Sequence, residues 1–399
     1  MDNRTGLFSN AIIWFGVAIS VSEIQAGVQI GAMSSLESLW LPLVLGHILG
    51  GVLLFLVGYI GAQIRQNAMH TTKLAYGNYG SKFFATLNVL QLVAWVAVLY
   101  AQGAVALEGL KLPISFPMTC IILASIVAVW VYVGLKRSTK ITSAVMIVLT
   151  ALLVILTVKL FTMGSFNSVG LAGNSQTLSF WNIFEISIAM PVSWLPVISD
   201  YTKDAEKPLS ASILSATAYT VASLWMYFIG ILVVGIGANN DVAQAILLAG
   251  LGVTGIVILV LSTITTNFLA TNSAGESANT IVNRIDPKVA GIIVSALSAI
   301  IAISGIMDHF ISFLYLITSV FGPMAAVLIV SYYFNTTSED SVWTWRWNLF
   351  AWFVGFIVYQ MVSTLDSIFL GPTLLSFIVS AALAYIVILF NKNHNDCNS

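Results

Sequence analysis

Runs of about twenty mostly apolar residues recur along almost the whole chain, and they confine it to one class of fold. A bilayer's hydrocarbon core is ~30 Å thick and a helix rises ~1.5 Å per residue, so one crossing needs ~20 such residues. By that ruler twelve segments stand out, near 9–31, 39–62, 83–108, 117–135, 141–163, 179–200, 210–236, 244–273, 289–306, 310–333, 346–365 and 369–391. Lipid offers no hydrogen bonds to backbone groups, so each segment is expected as a helix. The thinnest division separates the ninth and tenth, where only Met307, Asp308 and His309 interrupt the apolar run. Charged residues make up 8% of the 399, against ~25% in soluble proteins, too few to build a water-facing surface. A net charge of -1 also excludes a basic nucleic-acid footprint. An all-α integral membrane protein is therefore expected. The first segment is too long for the core of a cleaved signal peptide and keeps Glu23 at its middle, so it is read as the first span. Cys120 near the start of a span and Cys397 in the polar tail are not expected to form a bridge.

Lysine and arginine collect on the cytoplasmic side of membranes. With the N-terminus inside, thirteen basic residues fall on inner loops: Arg4, Arg65, Lys73, Lys82, Lys136, Arg137, Lys140, Lys203, Lys207, Arg284, Lys288, Arg346 and Lys392; only Lys111 and Lys159 fall outside. The expectation is a cell-membrane protein with both termini cytoplasmic. The sequence has no GxxxxGK[ST] loop, so ATP is not expected to drive it directly. The four histidines, His47, His70, His309 and His394, are scattered and have no metal-binding spacing. His47 lies inside a span, as an inter-helix hydrogen-bonding residue or a proton relay. No catalytic constellation, cofactor or obligate protein partner is indicated.

Polar groups inside a span cost free energy and usually mark a cavity or an ion path. The first span carries Ser20, Ser22, Glu23 and Gln25 between Gly16 and Gly27; the third Gln91, Trp95 and Gln102; the sixth Asn182, Glu185, Ser187, Met190, Pro191 and Trp194; the eighth "STITTNFLATNS" from Ser262 to Ser273. The first is read as interrupted by glycines amid small polar residues and the sixth by Pro191 and Pro196. Paired interruptions in the opening helices of two five-helix blocks point to an inverted-repeat transporter with its site at mid-membrane. Ser262, Thr265 and Thr266 share a helix face at i, i+3 and i+4. Neutral oxygens there suit a weakly held sodium ion, or merely close packing and bonds back to their own helix. Gln91 and Trp95 share a face at i and i+4, so a flat heteroaromatic could stack on the indole while the amide reads its edge.

At these residues the chain resembles the nucleobase-cation symporter-1 family, and within it the hydroxymethylpyrimidine (thiamin-precursor) transporters of bacteria. The resemblance runs from about residue 9 to 390 and is carried by "WFGVAISVSEIQAG", "LGHILGGVLLFLVGYIGA", "AYGNYGS" with "LQLVAW", "MPVSWLPVISDYT" and "TITTN". It implies the LeuT-like five-plus-five inverted repeat: spans 1, 2, 6 and 7 as a bundle, 3, 4, 8 and 9 as a scaffold, 5 and 10 as gates, and 11 and 12 as two extra C-terminal helices. The layout is then 1–163 and 179–333 as the repeats, 346–391 as the extra pair and 392–399 as the tail. The resemblance places sodium on the carbonyls of Gly16, Ile19 and Ser262 and the hydroxyls of Thr265 and Thr266. It places the substrate among Ser20, Glu23, Gln91, Trp95, Ser187, Ile188, Met190, Asn267 and Thr271. Cytosine and hydantoin carriers pack an aromatic ring where this chain has Ile188, and Glu23 and Glu185 add carboxylates near the break. A carboxylate or amide can bind an aminopyrimidine edge with two hydrogen bonds, so Glu23 or Gln91 is nominated to read it and Trp95 to stack; Glu23 could instead form a structural ion pair or couple protons.

The reading that follows is a secondary symporter, embedded in the lipid bilayer, that imports hydroxymethylpyrimidine or a related aminopyrimidine with sodium by alternating access. The alternative is a permease for cytosine or another nucleobase, coupled to sodium or protons. A channel or a membrane enzyme has no supporting motif.

Overall fold

The computed structural model describes residues 4–108, 111, 113–133, 135–164, 169, 177–237, 242–334, 342–365 and 370–396. Cys397 lies outside them, and Cys120 is a buried free thiol. The described residues form sixteen α-helices: α1 (Leu7–Ala18), α2 (Val21–Met33), α3 (Leu36–Ile64), α4 (Ala68–Thr71), α5 (Lys73–Glu108), α6 (Phe116–Val133), α7 (Leu135–Met163), α8 (Phe180–Ser193), α9 (Leu195–Thr202), α10 (Pro208–Gly235), α11 (Val242–Leu248), α12 (Gly252–Ile281), α13 (Pro287–Ile303), α14 (Phe310–Phe334), α15 (Val342–Ser363) and α16 (Pro372–Asp396). Among the described residues nine spans are long and apolar enough to cross a membrane, or ten if the bent pair α1 and α2 is one span.

Two boundaries differ from the sequence reading, and the thinnest division matches it. The eighth segment is two helices, because Gly250 and Gly252 at φ +68° and +21° turn the chain between α11 and α12, and α12 then continues to Ile281. The third begins ten residues earlier, at Lys73, with a kink at Gly77, φ +64°. The ninth and tenth are separate helices, divided by Gly305 at φ +96° and a 3-10 turn over Ile306–His309.

The helices pack as two sets. One joins α1, α2, α3, α8, α9 and α10; the other joins α5, α6, α12 and α13, while α14, α15 and α16 pack together alongside. Inside the first set, glycines bring backbones together, which is how helices associate where lipid is as apolar as leucine. A Cβ on Gly27 would lie 2.6 Å from Tyr227 Cα, and one on Gly230 2.6 Å from Val28 N. On α3, a Cβ on Gly46 would meet Ser187 Oγ at 2.5 Å. Because backbone cannot step aside as a rotamer can, Gly27→Ala is expected to destabilise the protein by about 1–3 kcal/mol. An unchanged melting temperature would contradict that packing.

One end of the spans is laced by polar contacts, two of which, Asp200–Ser273 and Lys203–Glu276, join the two sets. Thr5 pairs with Ala205 in an isolated bridge, and Arg65 donates to the carbonyls of Lys203, at 3.1 Å, and Ala205. Asp200 accepts from Ala68 N at 2.8 Å and from Ser273 Oγ, and Lys203 pairs with Glu276 at 2.8 Å. The N-terminal segment, the link after α3, the end of α9 and the last turns of α12 therefore share one end. The basic-loop count placed them on one side as well.

Candidate functional site

The first span breaks at Ile19 and Ser20, not at its glycines. Ile19 (φ -76°, ψ 88°) and Ser20 (φ -143°, ψ 155°) leave helical geometry, and α1 and α2 meet at a 51° bend. Ser20 restarts the helix by accepting from Glu23 N at 3.3 Å, which satisfies one of the orphan donors of a helix start. Gly16 and Gly27 serve packing instead: a Cβ on Gly16 would meet Met146 Sδ at 2.5 Å.

The break turns the Ile19 carbonyl toward α12. It accepts from Ser262 Oγ at 2.8 Å and Thr266 Oγ1 at 3.4 Å, and Thr265 Oγ1 donates to the Ser262 carbonyl at 3.0 Å. Ile19, Ser262 and Thr266 of the nominated sodium ligands thus meet across the break, Thr265 bonds back to its own helix at the Leu261 carbonyl, 2.8 Å, and Gly16 is buried one turn before Ile19. The donor set is carbonyl and hydroxyl oxygen only, which suits a hard, singly charged cation. Among the described residues no group of three or more His, Cys, Asp or Glu could hold a metal ion.

The sixth span is less interrupted than the sequence suggested. Pro191 sits inside α8 and Pro196 in the first turn of α9, and the two helices join across a one-residue turn at Trp194, whose N–H bonds back to Pro191 and Val192 carbonyls. That tightening replaces the bonds a proline removes, so the chain does not unwind.

Trp194 also supplies an aromatic ring from span six that the sequence reading had not weighed as a partner. It meets Trp95 edge-on at 6.2 Å and Trp14 edge-on at 6.2 Å. Phe310 and Phe313 flank Trp95 at 6.0 Å, and Trp14 also touches Tyr201 and Tyr219. Trp14 and Trp194 both lie within stretches that carry the resemblance, and Phe310 and Phe313 at i and i+3 open the tenth span.

The other nominated residues divide. Gln91 donates to Asn88 Oδ1 at 2.8 Å, and Asn88 in turn bonds the Pro196 carbonyl and Ser277, so that face of α5 borders α9 and α12. Asn267 and Thr271, at i and i+4 on α12, are fully buried, and Asn267 Oδ1 and Nδ2 and Thr271 Oγ1 have no hydrogen-bond partner; nor does Trp14 Nε1. Their stretch of α12 runs from Thr266, bonded to Ile19, past Leu269, whose carbonyl accepts from Tyr201 at 2.7 Å. Buried polar groups are nearly always paired, and an amide that offers a donor beside an acceptor matches the edge of an aminopyrimidine.

Glu23, Ser187 and Ile188 lie within the first helix set. Glu23 accepts from Tyr219 and Ser223 of α10, both at 2.7 Å, Ser187 donates to the Leu43 carbonyl at 2.5 Å, and Ile188 is fully buried. Met190 is buried too, its carbonyl accepting from Ser193 at 2.6 Å.

Glu185 faces away from the site. It accepts from Tyr359 at 2.8 Å, Thr373 N at 3.2 Å and Thr373 Oγ1, a carboxylate at the positive start of α16 that ties span six to the C-terminal helices. Glu185→Ala is expected to lower stability by about 1–3 kcal/mol for each donor left unpaired, and Glu185→Gln, which keeps an acceptor, by less. Equal losses in a thermal melt would contradict this tie.

The family described as permease for cytosine/purines, uracil, thiamine and allantoin matches residues 2–347. The cytosine permease of Escherichia coli (strain K12) is 20% identical over 387 residues, 96% of this chain and 91% of the relative. Mhp1, a nucleobase-cation-symport-1 family transporter solved in a closed conformation with bromovinylhydantoin bound, superposes with a TM-score of 0.76 at 18% identity, covering 97% of this chain and 93% of that one. A Na+-coupled sialic acid symporter in a substrate-bound outward-open state superposes at 0.71 with 12% identity, covering 97% and 89%. These superpositions show a shared transporter fold.

Proposed function

Because this chain belongs to the family of permeases for cytosine/purines, uracil, thiamine and allantoin, we propose that it is a secondary symporter that carries cytosine or a closely related nucleobase with sodium. One observation carries the reading: a fully buried amide, Asn267, with neither end bonded, directly follows Thr266, whose hydroxyl bonds the Ile19 carbonyl at the break. In this reading Asn267 reads the donor–acceptor edge of the base, Trp95 stacks on its face, Trp194, edge-on to Trp95, packs against its rim, and Ile19, Ser262, Thr265 and Thr266 hold sodium. Both oxygens of Glu23 are engaged by α10, so the edge-reading role passes to Asn267. Cytosine is favoured over hydroxymethylpyrimidine because the family description and the cytosine permeases support it.

Twelve spans in the five-plus-five layout give the movement its frame. The site lies between the two helix sets, and the set containing α2 and α8 rocks against the one containing α5 and α12. Sodium at Ile19 joins the sets across the break, so the ion stabilises the arrangement that also receives the base. Release toward the end that carries Thr5 requires the Asp200–Ser273 and Lys203–Glu276 contacts to part. No covalent chemistry is involved.

Coupling is reciprocal, so sodium is expected to tighten base binding by roughly 5–150-fold. Equilibrium binding of labelled cytosine to purified protein in sodium or potassium chloride, with uracil, adenine, allantoin and hydroxymethylpyrimidine as competitors, tests this. Equal affinity in the two salts would refute sodium coupling, and a competitor that displaces cytosine at far lower concentration would reassign the substrate.

A further inference from the structure

We propose that the hydrogen-bonded chain Glu23–Ser223–His47–Ser187, buried where α2, α10, α3 and α8 meet, is a proton-binding site. Ser223 Oγ lies 2.7 Å from Glu23 Oε2 and 2.8 Å from His47 Nε2. On the other side of the ring, His47 Nδ1 lies 2.7 Å from Ser187 Oγ and 3.1 Å from the Leu43 carbonyl, which also takes the Ser187 hydroxyl at 2.5 Å. Glu23 is 1% exposed, and His47, Ser187 and Ser223 are fully buried.

The site follows from counting hydrogens. A carbonyl only accepts, so Leu43 O and the Ser187 hydroxyl that donates to it face Nδ1 with lone pairs, and Nδ1 must carry a hydrogen to bond either. With Glu23 as a carboxylate, Tyr219 and Ser223 donate to it, so Ser223 accepts from His47 Nε2–H and the ring is an imidazolium. With Glu23 protonated, its O–H donates to Ser223, Ser223 donates to Nε2, and the ring is neutral. Every bond is made in both arrangements, and both hold one proton more than a carboxylate beside a neutral ring. They interconvert by one hop: the carboxylic O–H passes its proton to Ser223 Oγ as the Ser223 hydrogen moves to Nε2. The proton is taken from and returned to water, with no other reactant.

The groups that surround the chain are neutral donors and rings. From α10 come Tyr219 and Tyr227, whose ring meets the His47 ring edge-on at 4.7 Å; α5 offers Gln102, bonded to Ser22; α12 offers Ser262 and Thr266 at Ile19; α11 contributes Val242–Leu248, with no titratable side chain. Glu185 of α8 is turned to Tyr359 and Thr373. Loss of the proton leaves an uncompensated negative charge in the first turn of α2, four residues past the Ile19 carbonyl. If the oxygens at Ile19 hold sodium as proposed, that charge attracts the cation, so proton and sodium antagonise each other.

The chain has only four histidines, so nitrogen NMR of the histidine-labelled, purified protein can follow His47, assigned by its loss in His47→Asn. Expected is a His47 signal that changes with pH in the wild type and changes at a displaced pH in Glu23→Gln. Ser223→Ala, which keeps both titrating groups but removes the relay, is expected to displace it too and serves if Glu23→Gln does not fold. A wild-type signal that never changes while the protein stays folded, or the same titration in the folded variants, overturns the proposal. In cytosine uptake, the sodium concentration for half-maximal rate is expected to fall several-fold as pH rises, and to be independent of pH in Glu23→Gln. A normal His47 titration without sodium-dependent uptake would overturn the sodium reading and leave the proton site standing.

Discussion

Replacing Thr265 and Thr266 together by alanine is expected to weaken the apparent affinity for sodium by about 10–100-fold. Thr266 Oγ1 sits 3.4 Å from the Ile19 carbonyl and Thr265 Oγ1 3.0 Å from the Ser262 carbonyl, and the cation would share these oxygens. A lost polar contact in a buried site costs ~1–3 kcal/mol, and ~1.4 kcal/mol is tenfold in binding. The loss concerns the ion alone, so the rate at saturating sodium is expected to return toward wild type. The sodium dependence of cytosine uptake in membrane vesicles checks this, and an unchanged half-saturating concentration would remove sodium from this site.

Asn267→Leu is expected to move stability and affinity in opposite directions. Neither end of the amide is bonded in the folded protein, so replacing it with an apolar side chain of similar size relieves an unpaired buried group and raises stability by about 1 kcal/mol. The same change removes both hydrogen bonds to the base edge, and affinity for cytosine is expected to fall by about 100-fold or more. Thermal melts and equilibrium binding on the same preparation read both quantities. Equal affinity would release Asn267 from its role, and a large loss of stability would show that the amide is structural.

These residues also mark how far the sequence could be read. The succession of apolar helices and the sharing of ends followed from apolar length and the spacing of arginine and lysine, because both are local properties of a helix in lipid. The Ser262, Thr265 and Thr266 face was legible for the same reason, since i, i+3 and i+4 fix a face without reference to a neighbour. Which neighbour a face meets is not a local property. Glu23 and Glu185 were read as pointers to the site because carboxylates in lipid are costly; the structure satisfies that cost with Tyr219 and Ser223 for one and Tyr359 and Thr373 for the other. The break in span one was read at its glycines, yet the local signal for a helix start, a serine three residues before a glutamate, stood at Ser20 and Glu23. The glycines instead mark close backbone approach, with Gly27 against Tyr227. Trp194 was visible, but its pairing with Trp95 and Trp14 needed three helices brought together.

The most direct test is accumulation in proteoliposomes. With an inward sodium gradient and labelled cytosine at equal concentration on both sides, the interior concentration is expected to rise above the exterior and to fall back as the gradient dissipates, with no rise when potassium replaces sodium. Cytosine that remains at equal concentration on both sides whatever the sodium gradient would contradict the account.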